Sequence, residues 1–227
     1  MNVIALVPLD NRDGHDSGAL TRVQGAPLLQ HAVSGMLQSG CVDRVFVAGP
    51  QQHVAAYTAA VAPLADTRVT VLPGEQDRAT SLRVALRAAR PAPDDVVLVH
   101  EAARAFTRPE TVRAVVDALR DGAPAAIPVE PVTDTIKVVD ASGWIVGTRD
   151  RDHLRGMQAP QGFLGSVLSD VLGDLPGEVS DGADPARPLP DLGVEVHTVV
   201  GHPHGMRVAT TFDLTVIEAL LAEEEAH

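Results

Sequence analysis

Short apolar runs that alternate with amphipathic segments constrain the fold of this chain more than any other feature. The first run, Val3–Pro8, is followed by residues 27–40, where apolar side chains recur at helical spacing, and the alternation continues to a run at 125–129. This order predicts βαβ units, in which parallel strands form a sheet that carries helices on its faces. The run at 94–99 ends in four consecutive apolar residues, so we expect it to form a central strand.

The predicted elements fill most of the chain without an internal repeat or a break in composition. Strands are expected at 3–8, 44–48, 69–72, 94–99, 125–129 and 194–200, and helices at 27–40, 51–61, 77–90, 109–121, 163–175 and 212–225. A content of 45% hydrophobic residues is enough for a full core. We therefore expect residues 1–227 to form a single α/β domain whose mostly parallel, twisted sheet is flanked by helices.

The pattern changes in the segment 132–155. Two short apolar runs, 135–139 and 144–148, are joined there by Asp-Ala-Ser-Gly, which is typical of a β-hairpin. We expect this segment to project from the sheet as an arm. Its apolar side chains, Trp144 among them, cannot be buried by a solitary hairpin, so they pack either on a second subunit or on the chain's own domain.

Charge and composition exclude several classes of protein. The net charge of −12 argues against a nucleic-acid partner, although a few arginines can still form a local pocket for a small anion. No apolar run approaches the roughly 20 residues of a membrane span. The N-terminus lacks the basic region of a secretory signal, and the single cysteine, Cys41, excludes an intramolecular disulfide. These features indicate a cytoplasmic protein.

Polar side chains follow the predicted strands at the edge where an open parallel sheet binds ligands. Glu101 could hold a divalent cation and Arg104 a phosphate, or the two could form a simple salt bridge. Residues 77–81 begin a helix whose free N–H groups suit an anion, or they form an ordinary helix cap. His202 and His204 have no carboxylate or cysteine beside them that could complete a set of metal ligands, so we do not predict a metal site there.

Short motifs occur in a fixed order along nearly the whole chain. They are Pro-Gly at 73–74 with Arg-Ala-Thr-Ser at 78–81, Leu-Val-His-Glu-Ala-Ala-Arg at 98–104, Pro-Val-Thr-Asp-Thr-Ile-Lys at 131–137, Gln-Ala-Pro-Gln-Gly-Phe at 158–163, and Arg-Val-Ala-Thr-Thr at 207–211. In this order, together with the first strand, they resemble the motifs of the 2-C-methyl-D-erythritol 4-phosphate cytidylyltransferase family of the non-mevalonate isoprenoid pathway.

The resemblance implies a Rossmann-like nucleotidyltransferase domain that forms a homodimer through the hairpin arm. Its substrates would be CTP and methylerythritol phosphate, with Mg²⁺ or another divalent cation as cofactor, and pyrophosphate would be released. Carried over to this sequence, the resemblance implies that the nucleotide is bound by Pro8, Gly74, Arg78 and Ser81. The methylerythritol phosphate would be bound by Arg104, Thr135 and Arg151, with Arg151 coming from the partner's arm. Glu101 would be the metal ligand, and Arg207 a catalytic cation.

The sequence departs from the family pattern at several of these positions. The loop 9–18 is acidic and lacks the family's glycine-rich phosphate motif, including its arginine and the lysine that follows. Glu101 stands where the family has an aspartate, and Glu75 stands where it has the second glycine of the base-binding turn. Ala159 replaces a threonine of the family pattern, and Arg207 replaces a lysine.

The altered loop leaves two interpretations of function open. Loss of one preorganised donor to transition-state charge commonly lowers the rate by about 10²–10³-fold. Arg12 lies within the loop and Arg22 shortly after it, and we hypothesise that they replace the missing cations from shifted positions as catalytic residues. One interpretation is a working cytidylyltransferase, or a related nucleotidyltransferase, with a rebuilt loop. The other is a non-catalytic homologue that keeps the dimeric fold for binding or regulation.

Overall fold

The computed structural model describes residues 1–10, 18–174, 185–186, 189–191 and 193–225. Most of the acidic loop 9–18, including the predicted catalytic Arg12, lies outside these residues. Within them, no helix is long and apolar enough to cross a membrane.

The strands and helices follow the predicted alternation. The strands are β1 (Val3–Pro8), β2 (Arg22–Val23), β3 (Ala26–Pro27), β4 (Arg44–Pro50), β5 (Val69–Gly74), β6 (Val96–Val99), β7 (Ala125–Pro131), β8 (Ile136–Val139), β9 (Ile145–Arg149), β10 (Arg155–Met157), β11 (Gln161–Leu164) and β12 (Val196–Val200). The helices are α1 (Leu28–Gln38), α2 (Val54–Val61), α3 (Arg78–Ala89), α4 (Pro109–Arg120), α5 (Gly165–Asp174) and α6 (Thr211–Glu225).

One central sheet organises the described residues. Its strand order is β10-β7-β11-β6-β1-β4-β5, and β12 pairs with β7. The pairs β1–β4, β1–β6, β4–β5 and β7–β12 are parallel, whereas β10 and β11 run antiparallel to their neighbours. The predicted mostly parallel sheet flanked by helices is therefore confirmed.

Both faces of the sheet are covered because its central strands are apolar on both sides. Every residue of β1 is buried, and successive side chains alternate between two separate cores. Val3 and Val7 pack with α1 and α4 on one face, whereas Ile4 and Leu6 pack with α3 and α5 on the other. This burial fixes the carboxyl ends of β1 and β6 side by side.

The predicted helix at 163–175 was wrong at its start. Residues Gln161–Leu164 form β11, which is inserted antiparallel between β6 and β7, and α5 begins only at Gly165. The strand passes close to α4, because a Cβ on Gly162 would lie 2.5 Å from Val115 Cγ1 and 2.7 Å from Leu119 Cδ1. The run Gln-Gly-Phe-Leu does not alternate polar and apolar residues, so it has no strand periodicity in the sequence.

The predicted hairpin arm is confirmed as β8 and β9. Its turn is held by Asp140, whose Oδ1 accepts hydrogen bonds from the backbone N–H of Ser142 and of Trp144. The side chains of Trp144 and Ile145 are exposed, at 74% and 66%. The part of the chain that the structure describes does not bury these two side chains.

Helix α6 begins with a threonine cap. Thr210 Oγ1 accepts a hydrogen bond from the backbone N–H of Asp213 at 3.2 Å, and Asp213 Oδ2 accepts one from the backbone N–H of Thr210 at 2.8 Å. This reciprocal arrangement satisfies N–H groups at the helix start. It also fixes the chain immediately after Arg207 and Val208.

Candidate functional site

A cleft of about 600 Å³ lies at the carboxyl ends of β1 and β6. Its lining includes Pro8, Asp10, Arg78, Glu101, Arg104, Gln161, Arg207 and Thr210. The strand ends therefore meet at one edge of the sheet, as the topology of an open α/β sheet predicts.

Three arginines surround a single carboxylate at the centre of the cleft. Glu101 Oε1 lies 3.9 Å from Arg78 Nη2. Glu101 Oε2 lies 3.6 Å from Arg104 Nε and 3.8 Å from Arg207 Nε. The Glu101 side chain is 22% exposed. These separations are ion-pair distances, longer than those of direct hydrogen bonds.

The arginines keep Glu101 ionised. Burial acts to raise the pKa of the Glu101 carboxyl, but the charges of Arg78, Arg104 and Arg207 outweigh it and leave the pKa below its ordinary value of 4.5. Oε2 of this carboxylate is buried and accepts no hydrogen bond within the described part of the chain. The three arginines outnumber the two carboxylates of the described lining, Glu101 and Asp10, and give the cleft a local positive excess in an otherwise acidic protein.

Arg104 is held in place by backbone carbonyls. Its Nη1 donates to the carbonyl of Gly205 at 2.8 Å, and its Nη2 donates to the carbonyl of Met157 at 3.0 Å. Arg207 is held less tightly, since its side chain is 64% exposed. The segment that carries Arg207 is nevertheless fixed to the cleft, because the backbone N–H of Val208 donates to the carbonyl of Ala103 at 2.8 Å.

Arg78 is presented by the capped start of α3. Asp77 Oδ1 accepts a hydrogen bond from the backbone N–H of Thr80 at 2.8 Å. The preceding turn is stabilised by Ser81, whose Oγ accepts from the N–H of Glu75 and donates to its carbonyl, each at 3.1 Å. Gly74 is required in this turn, because a Cβ there would lie 2.7 Å from the backbone nitrogen of Gly49.

His100 precedes Glu101 but does not line the cleft. Its side chain is fully buried, and burial lowers the pKa of the imidazole to about 4. The ring is therefore neutral at neutral pH, and its complete burial keeps it out of direct contact with a ligand in the cleft.

The structure brings together five of the predicted site residues. Pro8, Arg78, Glu101, Arg104 and Arg207 all line the cleft. Gly74 and Ser81 lie behind it and shape the turn that leads to Arg78.

The remaining predicted residues are not part of the cleft lining or lie outside the described chain. Thr135 is exposed on the arm, and Arg151 donates to the carbonyl of Thr133 within the same arm. Arg22 is exposed in the small β2–β3 hairpin, where it donates to the carbonyl of Gly25. Arg12 lies outside the described residues. The roles assigned to these four residues stay predictions.

Two features of the site were missed by the sequence analysis. Gln161 lines the cleft beside Met157, and Gln158 is buried beneath the loop that follows β12. Both glutamines belong to the Gln-Ala-Pro-Gln-Gly-Phe motif, which was recognised but given no role. The signal was a pair of polar residues within an otherwise apolar stretch, and buried polar side chains usually satisfy a specific partner.

No group of three or more potential metal-ligating side chains occurs among the residues that the structure describes. His202 and His204 contact each other instead, since His202 Nδ1 accepts a hydrogen bond from the backbone N–H of His204 at 3.1 Å.

The chain is similar to named proteins along almost its whole length. The family model described as IspD, 2-C-methyl-D-erythritol 4-phosphate cytidylyltransferase, matches residues 12–223. A protein of that name from Saccharopolyspora erythraea is 46% identical over 229 residues, covering 98% of this chain and 100% of the relative. Another from Rhodococcus jostii is 42% identical and covers 99% of this chain and 97% of its own length.

Solved structures give the same result. The crystal structure of 2-C-methyl-D-erythritol 4-phosphate cytidylyltransferase from Thermus thermophilus is 27% identical, covers 98% of this chain and 100% of its own, and has a TM-score of 0.77. A synthase structure from Anaerococcus prevotii, at 19% identity and a TM-score of 0.83, shows the shared fold. These relatives do not favour the alternative of a silent homologue. The chain belongs to the 2-C-methyl-D-erythritol 4-phosphate cytidylyltransferase family.

Proposed function

We propose that this protein transfers the cytidylyl group of CTP to 2-C-methyl-D-erythritol 4-phosphate and releases pyrophosphate. The observation that carries the proposal is the cleft in which Arg78, Arg104 and Arg207 surround Glu101. A site with a net positive charge suits two phosphorylated substrates. The names of the relatives specify which phosphates they are.

The proposed reaction is an in-line displacement at phosphorus. An oxygen of the methylerythritol phosphate attacks the α-phosphorus of CTP, and the bond from that phosphorus to the oxygen bridging to the β-phosphate breaks. That oxygen leaves with its electron pair as part of pyrophosphate. The protein positions both phosphates and stabilises the negative charge that develops on the oxygens, and little covalent chemistry falls to its side chains.

We assign the arginines of the cleft separate parts in this reaction. Arg78, at the start of α3, lies beside the nucleotide with Pro8 and the Gly74 turn. Arg104, which two carbonyls fix in place, binds the methylerythritol phosphate. Arg207 is exposed enough to reach the α-phosphate, where charge develops in the transition state. Arg12 and Arg22 remain our candidates for the cations missing from loop 9–18.

Glu101 fits the role of ligand to Mg²⁺ or another divalent cation. Its carboxylate is ionised, and the 22% of the side chain that is exposed lines the cleft, so it can offer an oxygen to a hard cation there. Such a cation would neutralise phosphate charge in the transition state. The arginines would repel it until triphosphate oxygens were present, so we expect the cation to enter with CTP.

We further propose that the arm, residues 132–155 of the single domain 1–227, forms a homodimer. Trp144, Ile145 and Val146 are exposed at 74%, 66% and 62%, and a second subunit would remove this apolar surface from water. Arg151 of the partner subunit would then contribute to the substrate phosphate site together with Thr135. The single cysteine, Cys41, is free, and we place the protein in the reducing cytoplasm.

A charge in the arm tests the dimer. We expect Trp144→Glu to weaken self-association by at least about 100-fold, because an aromatic anchor is lost and a carboxylate must be desolvated in its place. Sedimentation velocity at micromolar protein measures this effect. Ala56→Glu adds the same charge to the exposed face of α2 and is the matched control. A dimer that survives Trp144→Glu, or a monomeric wild type, contradicts the proposal.

The activity itself is tested by pyrophosphate release. With CTP, Mg²⁺ and methylerythritol phosphate we expect turnover on the order of 1 per second or faster, within the usual range of enzymes. Omission of methylerythritol phosphate should abolish release, and calorimetry should show Mg²⁺-dependent binding of CTP. If pyrophosphate is not released and CTP does not bind at millimolar concentration, the protein is a non-catalytic homologue.

A further inference from the structure

The loop between β12 and α6 determines where two arginines of the cleft lie. Arg104 donates to the carbonyl of Gly205 in this loop, and Arg207 lies in the same loop, two residues after Gly205. The side chain of Arg104 is 16% exposed, so it has little freedom to find another partner. A shift of the loop at Gly205 would therefore move both guanidinium groups away from Glu101.

Gln158 fills the space beneath this loop. It is 4% exposed, and its backbone N–H donates to the carbonyl of Pro128 in β7 at 2.8 Å. Its side-chain Oε1 accepts from the backbone N–H of His202 at 3.0 Å. Its Nε2 donates to the carbonyl of His202 and to Glu130 Oε2, each at 2.8 Å. Both N–H donors and the oxygen of the amide are thus used, and they tie the loop to the sheet.

Two glycines give the amide its room. A Cβ on Gly201 would lie 2.5 Å from Gln158 Oε1, and a Cβ on Gly205 would lie 2.6 Å from the same atom. Both distances are far below van der Waals contact. The loop therefore lies directly on the Gln158 amide at two points, and larger residues at 201 or 205 would displace the amide.

Both acceptors of Arg104 adjoin Gln158. One is the carbonyl of Met157, the preceding residue, and the other is the carbonyl of Gly205, which packs against the amide. We propose that Gln158 is a positioning residue. It fixes Arg104 by holding the two carbonyls to which Arg104 donates, and it fixes Arg207 by holding the loop that carries Arg207. This inference rests on the proposed function, because it assigns these arginines to the substrate phosphates.

The proposal predicts a selective kinetic defect in Gln158→Leu. We expect the KM for methylerythritol phosphate to rise about 10-fold and kcat to fall about 10-fold, since small misplacements of substrate-binding groups have effects of this size. The KM for CTP should stay within about twofold, because Arg78 and Gly74 belong to α3 and β5 and not to this loop. A general loss of structure would affect both substrates alike. Gln38→Leu, at an exposed glutamine of α1, is the matched control.

Gly205→Ala approaches the same contact from the opposite side. A methyl group there must displace the Gln158 amide, so we expect the same selective rise in the KM for methylerythritol phosphate. This variant keeps the proposal testable if Gln158→Leu does not fold. Thermal unfolding of both variants and of the wild type shows which variants are folded, and kinetics are measured only on those.

Binding of inorganic phosphate separates this proposal from the proposed function. Calorimetry measures phosphate at the cleft arginines without turnover, and we expect about 10-fold weaker binding in folded Gln158→Leu than in the wild type. An inactive wild type with this difference would overturn the proposed function and leave the role of Gln158 standing. An active wild type, with phosphate binding and both KM values unchanged in the two variants, would overturn the role of Gln158.

Discussion

Replacing Arg207 with alanine is expected to lower kcat by about 10²–10³-fold, the usual cost of losing one preorganised donor to transition-state charge. Arg207 is the most exposed of the three arginines that face Glu101, at 64%, so its removal leaves the core intact. The family's glycine-rich loop motif is missing, so the remaining cations of the cleft carry more of the phosphate charge. We therefore expect kcat to fall much more than either KM rises.

Steady-state kinetics with both substrates measure this effect, and thermal unfolding should show a midpoint close to that of the wild type. Arg120→Ala is the matched control, because Arg120 is also partly exposed, at 45%, and forms a surface pair with Asp117 on α4. That variant should keep wild-type kinetics. If Arg207→Ala retains kcat within about threefold of the wild type, Arg207 is not a catalytic residue.

The second large effect is expected for Glu101→Gln. The substitution keeps the size of the side chain but removes the charge that three arginines share, and it removes the proposed cation ligand. We expect turnover to fall by at least about 100-fold. Glu101→Asp retains the charge and restores the residue type that the family resemblance leads us to expect. It should therefore keep much more activity than Glu101→Gln.

Stability against pH gives an independent measure of the same ion pairs. The pKa of Glu101 is lowered in the folded protein despite its burial, because Arg78, Arg104 and Arg207 favour the charged form. Its contribution to the free energy of unfolding is therefore present above the ordinary value of 4.5 and is lost as the pH falls through the lower, folded-state value.

At neutral pH, Glu101→Gln should unfold at a temperature about 2–6 °C below the wild type, because three partly buried arginines lose their counter-charge. The difference should shrink steadily as the pH falls below about 4.5. Differential scanning calorimetry from pH 7 to pH 3 measures both quantities. An unchanged difference across this range would show that the carboxylate does not stabilise the arginine cluster through its charge.

Much of the sheet was predictable because its signals are local. Val3–Pro8 is apolar throughout, and buried parallel strands have this composition. The hairpin at 136–149 was predicted from its turn residues, and Asp140 holds the turn as expected for such a sequence. The strand β11 was missed because its place between β6 and β7 is set by long-range pairing, which its own four residues do not encode.

The site was predictable only in part. Ordered motifs identified Arg78, Glu101, Arg104 and Arg207 as site residues, and the structure brings these four together at the cleft. Nothing in the motifs indicates that the arginines share one carboxylate, because ion pairing depends on the distance between side chains. Gln158 was also left without a role, since its hydrogen-bond partners come from other parts of the chain.

By itself, the sequence determined the α/β class, the projecting arm and the family, because apolar periodicity, turn chemistry and motif order are properties of short segments. The tertiary structure alone decided that Glu101 is the common partner of three arginines, and that Gln158 supports the loop beneath two of them. The reason is physical. The parallel sheet places the ends of distant segments at one edge, and only there do their charges and hydrogen bonds meet within a few ångströms.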